Sequence, residues 1–422
     1  MLASTQWDKL RGLLDLTRRR NLFYQGKWAS LGGLREVSSL AEFTRAVPFT
    51  TKSELSDDQQ ATPPFGTALN FPLPAYTRCH QTSGTSGQPL RWLDTFESWE
   101  AMTRHWTRIF EAAGTTAADR VLFAFSFGPF LGFWLAFDSA HRLGCCCVPA
   151  GGLSTTARLR LIFDLGITTI CCTPSYALRL TETAREEGVQ TSKARVSKWI
   201  VAGEPGGSIP ATRQRIEQSW PGSVVYDHHG MTETGPVTYQ CPQHAGRLHV
   251  MESAFLAEII DPHSGQPVSE SQPGELVLTT LERAGSPLFR YRTGDIVKPR
   301  PRERCDCGSI ELALEGGILS RTDDMLVVRG VNIYPTAIES LVRSSGPVLE
   351  FLVHVSRHRE LQELAVDVEF DAAPEASAEL ARRLETQFES ALSLRIPVAA
   401  KSRGSLPRYE MKARRWIHHG DL

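Results

Sequence analysis

The chain has 422 residues and a formal net charge of −1 at pH 7. At roughly 150 residues per domain, this length predicts about three domain-sized units. The nearly neutral balance is not typical of a nucleic-acid-binding surface or a polybasic membrane patch, so we expect a small-molecule substrate. The sequence has no apolar run near ~20 residues and no basic-then-apolar leader at Met1. We therefore expect a cytoplasmic protein that binds neither nucleic acid nor membranes.

In chain order, the first part alternates between amphipathic segments of helical period and short apolar runs. An opening helix is predicted over residues 7–24 and another over 95–113. The strands and helices predicted next lie at 121–126, 131–143, 145–149, 157–165, 168–173, 176–187 and 198–202. Short buried strands joined by helices imply crossover connections, so the pattern predicts an α/β fold with layered, mostly parallel sheets.

After residue 254 the pattern changes from alternating strands and helices to strands separated by turns. Residues 255–260 and 274–280 flank the turn sequence D-P-H-S-G-Q, which predicts a β-rich subdomain built from hairpins. A further break falls near residues 321–324. The remaining residues, about one hundred, predict a smaller α+β unit with strands around Val327, 351–355 and 364–370 and a helix over 375–389.

A loop rich in glycine and hydroxyl residues, H-Q-T-S-G-T-S-G-Q-P, occupies residues 80–89. Glycines let backbone N–H groups turn toward an anion, and hydroxyls add neutral donors. It is not a Walker loop, because Gln88 stands where that motif requires lysine. A flexible Ser/Gly linker has the same composition, so the loop alone leaves both interpretations open. The phosphate-binding interpretation assigns ATP contacts to Thr82, Ser83, Gly84, Thr85, Ser86 and Gly87.

Polar or aromatic segments directly follow several of the predicted strands. These segments read F-S-F-G-P-F, T-P-S-Y, A-G-E-P and D-H-H-G-M-T-E. Ligands of open α/β sheets bind beyond the carboxyl ends of the strands. We therefore expect the site to be assembled from these segments.

Four further stretches carry a family resemblance in their order and spacing. They read Y-D-H-H-G-M-T-E-T-G at 226–235, Y-R-T-G-D at 291–295, S-R-T-D-D-M-L-V-V-R-G-V-N-I-Y-P at 320–335 and L-P-R-Y-E-M-K-A at 406–413. Together they resemble the acyl-adenylate-forming superfamily, which activates carboxylic acids with ATP. P-F-T-T-K-S-E-L at 48–55 and G-E-P at 203–205 are similar to the phenylacetate-coenzyme A ligase family. The resemblance implies a core domain of residues 1–322 and a small mobile C-terminal α+β domain of residues 323–422.

The resemblance also assigns the ATP chemistry to matching positions. Glu233 matches a magnesium-binding glutamate, the oxygen ligand that a hard cation prefers, and Thr232 would contact the α-phosphate. Lys412 matches the lysine that stabilises charge during adenylation, and Asp323 matches the hinge between the half-reactions. The alternative interpretations are that Glu233 is a solvated surface acid and that Lys412 is a solvated member of a basic tail. The other expected ATP-binding residues are Gly203, Glu204, Pro205, Asp227, His228, Asp295 and Arg321, with Asp295 on the ribose hydroxyls and 203–205 beside the adenine.

An aromatic segment, F-S-F-G-P-F-L-G-F-W at 125–134, predicts the acyl pocket. Such a density of rings is also compatible with core packing, and some of these rings must serve it. The expected substrate contacts are Phe125, Phe127, Gly128, Phe130, Tyr176, His228, His229 and Gly230. Two positions depart from the family: His229 stands where relatives usually carry tyrosine, and Gln88 replaces a loop lysine.

Two closely spaced pairs of soft ligands predict a structural zinc site. Cys241 and His244 form a C-x-x-H pair, and Cys305 and Cys307 form a C-x-C pair. Four protein ligands make a closed tetrahedral site, in which the ion stabilises the fold and takes no part in catalysis. The alternative is four unlinked surface residues, and His249 is the reserve ligand if His244 points away.

The function that follows is ATP-dependent ligation of an aromatic (aryl or heteroaryl) carboxylic acid to coenzyme A through an acyl-adenylate. One alternative passes the acyl group to a carrier-protein phosphopantetheine or to an amine. A second alternative is a non-catalytic nucleotide-binding protein, although Lys412, Glu233 and Asp295 are all retained. The expected cofactors are ATP, Mg²⁺, coenzyme A as acceptor and Zn²⁺, and a homodimer is considered.

Overall fold

The computed structural model describes residues 2–29, 37–82, 89–322, 324, 326–328, 331–358, 361–409 and 413–419. The chain divides into two compact units. The first comprises residues 1–151 and 227–317, and the second comprises residues 152–226 and 318–422. Among the described residues, no helix has the length and apolar character that a membrane span requires.

The helices are α1 (Leu2–Arg20), α2 (Leu22–Trp28), α3 (Leu40–Ala46), α4 (Lys52–Ala61), α5 (Phe96–Ala112), α6 (Leu131–Arg142), α7 (Thr155–Asp164), α8 (Pro174–Glu186), α9 (Pro210–Ser219), α10 (Pro335–Ser344) and α11 (Pro374–Leu392). The predicted opening helix is two helices, because Asn21 caps α2 by accepting a hydrogen bond from the Tyr24 N–H. The predicted helix at 95–113 is α5, and the Thr95 side chain caps it through the Ser98 N–H.

The strands up to residue 260 are β1 (Tyr76–Gln81), β2 (Arg91–Thr95), β3 (Arg120–Phe123), β4 (Cys146–Pro149), β5 (Thr169–Cys172), β6 (Lys198–Val201), β7 (Val224–Asp227), β8 (Gly230–Met231), β9 (Gly235–Pro236), β10 (Thr238–Gln240), β11 (Arg247–Val250) and β12 (Phe255–Ile260). The later strands are β13 (Gly274–Thr280), β14 (Tyr291–Pro299), β15 (Ala313–Arg321), β16 (Leu326–Val328), β17 (Val331–Ile333), β18 (Val348–His358), β19 (Leu361–Phe370), β20 (Val398–Lys401) and β21 (Trp416–His418).

The first unit contains a six-stranded sheet in the order β10-β11-β15-β14-β13-β12. The pair β12 and β13 is antiparallel, with Phe255 opposite Thr280, which confirms the predicted hairpin. The strands β3 and β4 are parallel and are joined through α6. A separate core of large side chains packs α1 and α2 against the loop at Phe289, with Tyr24 and Phe289 both fully buried.

The second unit combines a parallel part with an antiparallel part. Strands β5 and β6 are parallel and are joined through α8, as the predicted crossover requires. A four-stranded sheet has the order β20-β19-β18-β21, in which the long central pair β18 and β19 is antiparallel. Helices α10 and α11 cover this sheet through a core that includes Ile338, Phe351 and Phe388. The α/β class is confirmed, and the proposed division at residues 322 and 323 stays a prediction.

Candidate active site

A tight two-stranded ribbon carries the motif at residues 226–235. Strands β8 and β9 pair antiparallel, with Met231 opposite Gly235, so Thr232 and Glu233 lie in the turn between them. Gly235 has a φ of +83°, and a Cβ there would lie 2.6 Å from Met102 Sδ. A Cβ on Gly230 would lie 2.9 Å from the Gly235 carbonyl oxygen. The two glycines therefore let the ribbon pack closely and fix the position of the turn.

The Glu233 carboxylate lies at the meeting point of two motifs. Its side chain is 6% exposed, and its Oε1 accepts a hydrogen bond from the Tyr291 hydroxyl at 3.3 Å. Tyr291 begins the Y-R-T-G-D stretch, 58 residues further along the chain. Lys52 Nζ, at the start of α4, lies 3.4 Å from the same carboxylate oxygen. Lys52 belongs to the P-F-T-T-K-S-E-L stretch, and its position beside Glu233 is seen only in the folded chain.

A buried arginine holds the backbone of the turn, and sequence reasoning missed it. Arg283 donates from Nη1 to the carbonyl oxygens of Thr232 and Glu233, at 2.7 and 2.8 Å. Its Nε and Nη2 donate to the two carboxylate oxygens of Asp94, at 2.7 and 2.6 Å. The ion pair has almost no exposed surface. Arg283 thus compensates the Asp94 charge and orients the turn through the same planar group.

The predicted ribose ligand has a histidine neighbour. Asp295 is 4% exposed, and its Oδ2 lies 2.9 Å from His229 Nε2. Its backbone N–H donates to the Thr293 hydroxyl at 3.0 Å. The motifs at 226–235 and 291–295 therefore meet at two points, through Glu233 and through Asp295.

His228 points to a different environment from that of His229. Its ring meets Trp106 edge-on, with 4.4 Å between the ring centroids. Burial and the neighbouring His229 lower the pKa of His228 to about 3, so its imidazole is neutral at ordinary pH. The backbone N–H of Asp227, the residue before His228, donates to Gln240 Oε1 at 3.2 Å.

The aromatic segment at 125–134 packs largely on itself. The rings of Phe125 and Phe133 stack at a centroid distance of 3.8 Å, and Phe127 meets Trp134 at 5.0 Å. The Trp134 Nε1–H donates to the Gly128 carbonyl oxygen at 3.0 Å, which holds the bend. Phe125 is 6% exposed, so part of the predicted pocket is core in this structure, while Phe130 is partly exposed.

Thr82 closes the base of the glycine-rich loop. Its backbone N–H donates to the Leu90 carbonyl oxygen at 2.9 Å, and its hydroxyl accepts from the Leu90 N–H at 3.0 Å. These bonds bring the two ends of the loop together. The predicted phosphate contacts Ser83, Gly84, Thr85, Ser86 and Gly87 lie outside the described residues.

In the second unit, Glu204 joins three separate segments. Gly203, with a φ of +94°, starts the turn that carries it. Glu204 Oε1 accepts from the Ser175 N–H at 2.8 Å, and Oε2 accepts from the Ala413 N–H at 2.7 Å. Ala413 directly follows Lys412, which lies outside the described residues, as does Asp323.

The other predicted residues of the second unit range from fully buried to exposed. Tyr176 is fully buried, and its hydroxyl donates to Thr155 Oγ1 at 3.3 Å. The Arg158 guanidinium lies over the Tyr176 ring at 4.9 Å. Arg321 ends β15 and is half-buried, and Pro205 follows Glu204 at the surface.

The cysteine pairs come together, with a different histidine from the one the spacing favours. Cys241, His249, Cys305 and Cys307 place their ligand atoms within 4.8 Å of one another. His244 is excluded from this group, since its Nε2 lies 2.9 Å from Asp306 Oδ2. His249, the reserve candidate, takes its place, with Nε2 3.4 Å from Cys307 Sγ.

The chemistry of the four ligands suits zinc. Burial opposes ionisation of Cys305, but donation from the Cys307 backbone and from Arg247 lowers its pKa to about 7. His249 Nδ1 lies 3.4 Å from the Glu311 carbonyl oxygen, which leaves Nε2 for a metal. Three thiols and one imidazole are a common ligand set for a structural zinc ion.

Comparison with known proteins adds independent evidence. Residues 80–281 match the family described as AMP-binding enzyme, and residues 330–419 match the AMP-binding enzyme C-terminal domain. The phenylacetate-coenzyme A ligase of Thermus thermophilus is 32% identical over 375 residues, which cover 87% of this chain and 81% of the relative. The protein of the same name from Escherichia coli is 30% identical and covers 98% of this chain and 93% of the relative.

Solved structures agree with the sequence relatives. A 2-hydroxyisobutyryl-CoA ligase in the postadenylation state, in complex with 2-HIB-AMP, gives a TM-score of 0.93 at 28% identity, covering 99% of this chain and 89% of that chain. In complex with 2-HIB-AMP and CoA in the thioesterification state, the same ligase gives a TM-score of 0.73 at 28% identity, covering 99% and 90%. With relatives at 30% identity or more along most of its length, the chain belongs to the phenylacetate-coenzyme A ligase family of AMP-binding enzymes.

Proposed function

We propose that this protein is an AMP-forming ligase that joins an aryl or heteroaryl carboxylic acid to coenzyme A. In the first half-reaction, a carboxylate oxygen of the acid attacks the α-phosphorus of ATP, and the bond to pyrophosphate breaks. In the second, the sulfur of coenzyme A attacks the acyl carbonyl carbon, AMP leaves, and the thiol proton passes to solvent. Relatives named phenylacetate-coenzyme A ligase and a CoA ligase bound to an acyl-AMP support both steps.

The observation that carries this proposal is the convergence of the two motifs in the first unit. Tyr291 contacts Glu233, and His229 contacts Asp295, although the motifs are far apart in the sequence. Two buried carboxylates are thereby positioned where the motifs meet, and one can serve a cation and the other a sugar. Each acid has a polar neighbour within the protein, and in this proposal magnesium and the nucleotide ribose are the further groups that they bind.

Adenylation brings two anions together, so the site has to supply positive charge. A magnesium ion held by Glu233 would neutralise the phosphates. Thr232 contacts the α-phosphate in this proposal, and Arg283 keeps both residues in place. Lys52 offers the positive charge that Gln88 cannot supply, because its ammonium already lies beside Glu233 and is 42% exposed.

The nucleoside is held by residues of both motifs. We assign the ribose hydroxyls to Asp295, since adjacent O–H donors pair well with one ionised acceptor. His229 Nε2 supports that carboxylate from the protein side. In the second unit, the turn at 203–205 is assigned to the adenine, and Lys412 and Arg321 to the phosphate side.

The aromatic class of the acid rests on the segment at 125–134. Phe130, which is partly exposed, and Gly128 at the bend are where this proposal places a flat substrate. The ring of His228 packs against Trp106, and His229 Nε2 contacts Asp295, so the proposal gives neither histidine the main role in selecting the acid. We therefore assign substrate selection to the phenylalanines.

We also propose that the cluster of Cys241, His249, Cys305 and Cys307 holds a structural zinc ion. All four ligands come from the protein, so the ion has no open position and takes no part in catalysis. Its effect would be to tie β11 to the loop that precedes β15.

Acid-dependent exchange of labelled pyrophosphate into ATP tests the proposal. A panel of aryl, heteroaryl and alkyl acids is tested, with Asp295→Asn as the control that should lose nucleotide binding. Exchange with aromatic acids, followed by formation of a coenzyme A thioester, is expected. Exchange without a thioester, but with transfer to a carrier protein or an amine, favours the first alternative. No exchange with any acid favours a non-catalytic nucleotide-binding protein and contradicts the proposal.

A further inference from the structure

A cavity in the second unit is lined by three arginines that differ in how well their charges are compensated. It has a volume of about 610 Å³ and lies between α8, α9 and the segment from the end of α10 to the start of β18. Arg185, Arg215 and Arg343 line it. None of its lining residues is among those predicted to bind the nucleotide or the acid, so the cavity is unassigned by the proposed function.

Arg215, on α9, is the least compensated of the three arginines. It is half-buried, and within the described part of the chain it makes no hydrogen bond or ion pair, although Glu182 and Glu350 attract its charge at longer range. Guanidinium groups remain charged in proteins, and a partly desolvated charge without a partner is unfavourable. An anion bound in the cavity would stabilise such a residue.

Arg343, near the end of α10, is incompletely hydrogen-bonded in a more deeply buried position. Its side chain is 1% exposed, and its Nη1 and Nε have no hydrogen-bond partner among the described residues. The acids near it, Glu339 and Glu350, lie at 3.6 and 3.8 Å, beyond hydrogen-bond distance. Glu350 instead accepts from Arg415 at 2.7 and 3.1 Å. Glu350 is therefore already engaged by another arginine, and Glu339, the nearer acid, lies 3.6 Å from Arg343 Nε and 3.8 Å from Arg415 Nη1.

The acids on the cavity wall are engaged as well. Glu182 accepts hydrogen bonds from Arg408 and Arg179, and Asp371 pairs with Arg185 and Arg403. Burial and the nearby positive charges of Arg343 and Arg185 lower the pKa of Arg215 to about 10. The lining therefore has an excess of positive charge around Arg215.

We propose that this cavity binds an oxyanion of the phosphate class between Arg215 and Arg343. Guanidinium forks match the tetrahedral oxygens of phosphate and bind them through paired, charge-assisted hydrogen bonds. The volume lies within the roughly 300–1,000 Å³ range of small-molecule sites, so the phosphate can be free or part of a larger ligand. Phosphate, pyrophosphate and the phosphate groups of coenzyme A share this chemistry.

Thermal unfolding with added anions tests this site on the full chain. The wild type, Arg215→Gln and Arg382→Gln are compared in phosphate, pyrophosphate, coenzyme A and dephospho-coenzyme A, against chloride at equal ionic strength. Saturating AMP is present throughout, so that added phosphate is not bound at the nucleotide site. Arg382 is the matched control, because its side chain is 72% exposed on α11 and does not line the cavity.

Phosphate or one of the larger ligands should raise the melting temperature of the wild type and of Arg382→Gln, but not that of Arg215→Gln. Titration calorimetry should give an affinity at least about tenfold weaker for Arg215→Gln, since a charge-assisted hydrogen bond is lost. A response to inorganic phosphate assigns a free anion. A response to coenzyme A that is lost with dephospho-coenzyme A assigns its 3′-phosphate.

Two results would overturn the site. One is a wild type that responds to none of the four ligands more than to chloride. The other is an Arg215→Gln variant with a lower melting temperature in chloride but an unchanged response to the anions, which makes Arg215 purely structural. If the site exists, the variant is at least as stable as the wild type in chloride, because it removes a poorly compensated charge.

Discussion

Arg283→Lys should loosen the turn at Thr232 and Glu233 without changing the net charge. The native guanidinium makes four hydrogen bonds, two to Asp94 and two to the carbonyl oxygens of the turn. Lysine keeps the charge but has a compact ammonium that does not reproduce the planar fork. The variant therefore keeps an ion contact with Asp94 at most and leaves the two carbonyl oxygens without their donor.

The magnitude follows from burial. Arg283 is 2% exposed and Asp94 is 0% exposed, so solvent does not replace the lost bonds. Breaking a buried pair costs about 3–5 kcal/mol, and we expect the lower end because the charge is retained. Opening of the β8–β9 ribbon should then become more frequent by about 10²-fold. Misplacement of reacting groups by ~1 Å lowers rates by a similar factor, so pyrophosphate exchange should fall by about 10²-fold.

Two measurements check this prediction: amide hydrogen exchange of peptides that contain β8 and β9, and pyrophosphate exchange well below the melting temperature. Arg108→Lys is the matched control, since Arg108 also makes a bidentate contact with an acid. Its Nη1 and Nη2 donate to the two carboxylate oxygens of Glu311 at 3.2 and 2.7 Å. Arg108 does not contact the turn, and its variant should keep both properties. Wild-type protection of the ribbon together with wild-type pyrophosphate exchange in Arg283→Lys would refute the reasoning.

Three further substitutions address the proposed roles of single residues. Lys52→Ala should lower kcat/KM for ATP in pyrophosphate exchange by about tenfold, less than a fully buried donor because Lys52 is partly exposed, and Lys52→Arg should restore most of it. His229→Phe should raise KM for ATP several-fold while leaving KM for the acid unchanged, because it removes the contact to Asp295; an equal rise in both constants would contradict this. Lys412→Ala should reduce acyl-adenylate formation by on the order of 10²-fold. The same variant should transfer a preformed acyl-AMP to coenzyme A at the wild-type rate, and loss of both half-reactions would place Lys412 elsewhere.

Local sequence patterns were sufficient to predict most of the fold. Alternating apolar runs and helical segments predicted β3 to β6 with their crossover helices, because short buried strands and amphipathic helices have distinct periods. The opening helix was predicted as one segment, and the structure divides it at Asn21. A helical period continues through that position, whereas a capping side chain acts on only one backbone N–H, so the pattern does not reveal the break.

The supporting residues of the site had no comparable signal. Glu233 and Asp295 stand in recognisable motifs, and their neighbours within a few residues could be assigned with them. Arg283 contacts the turn across 50 residues and Asp94 across 189 residues, and it lies in no motif. Many arginines in the chain have similar local surroundings in the sequence. Only the folded arrangement identifies the one that compensates a buried acid.

The choice between two histidines in the cysteine cluster shows the same limit. Spacing favours His244, because C-x-x-H pairs are common in zinc sites. His249 lies on β11, where side chains alternate between the two faces of the sheet, and its face also carries Arg247, which donates to Cys305 Sγ at 3.5 Å. His244 lies in the turn before that strand and pairs with the exposed Asp306. Strand geometry, rather than spacing, therefore selects the fourth ligand.

This choice gives a direct test of the zinc proposal. His249→Ala should lose bound zinc after dialysis at a fixed low zinc concentration and should melt at a lower temperature, because a closed site with three remaining ligands holds the ion weakly. His244→Ala should keep both the zinc content and the melting temperature of the wild type, since only an exposed ion pair is lost. A chelator should lower the melting temperature of the wild type and of His244→Ala, but should not change that of His249→Ala. Equal zinc loss in the two variants would contradict the assignment to His249, and a wild type that takes up no zinc would exclude the metal from the cluster.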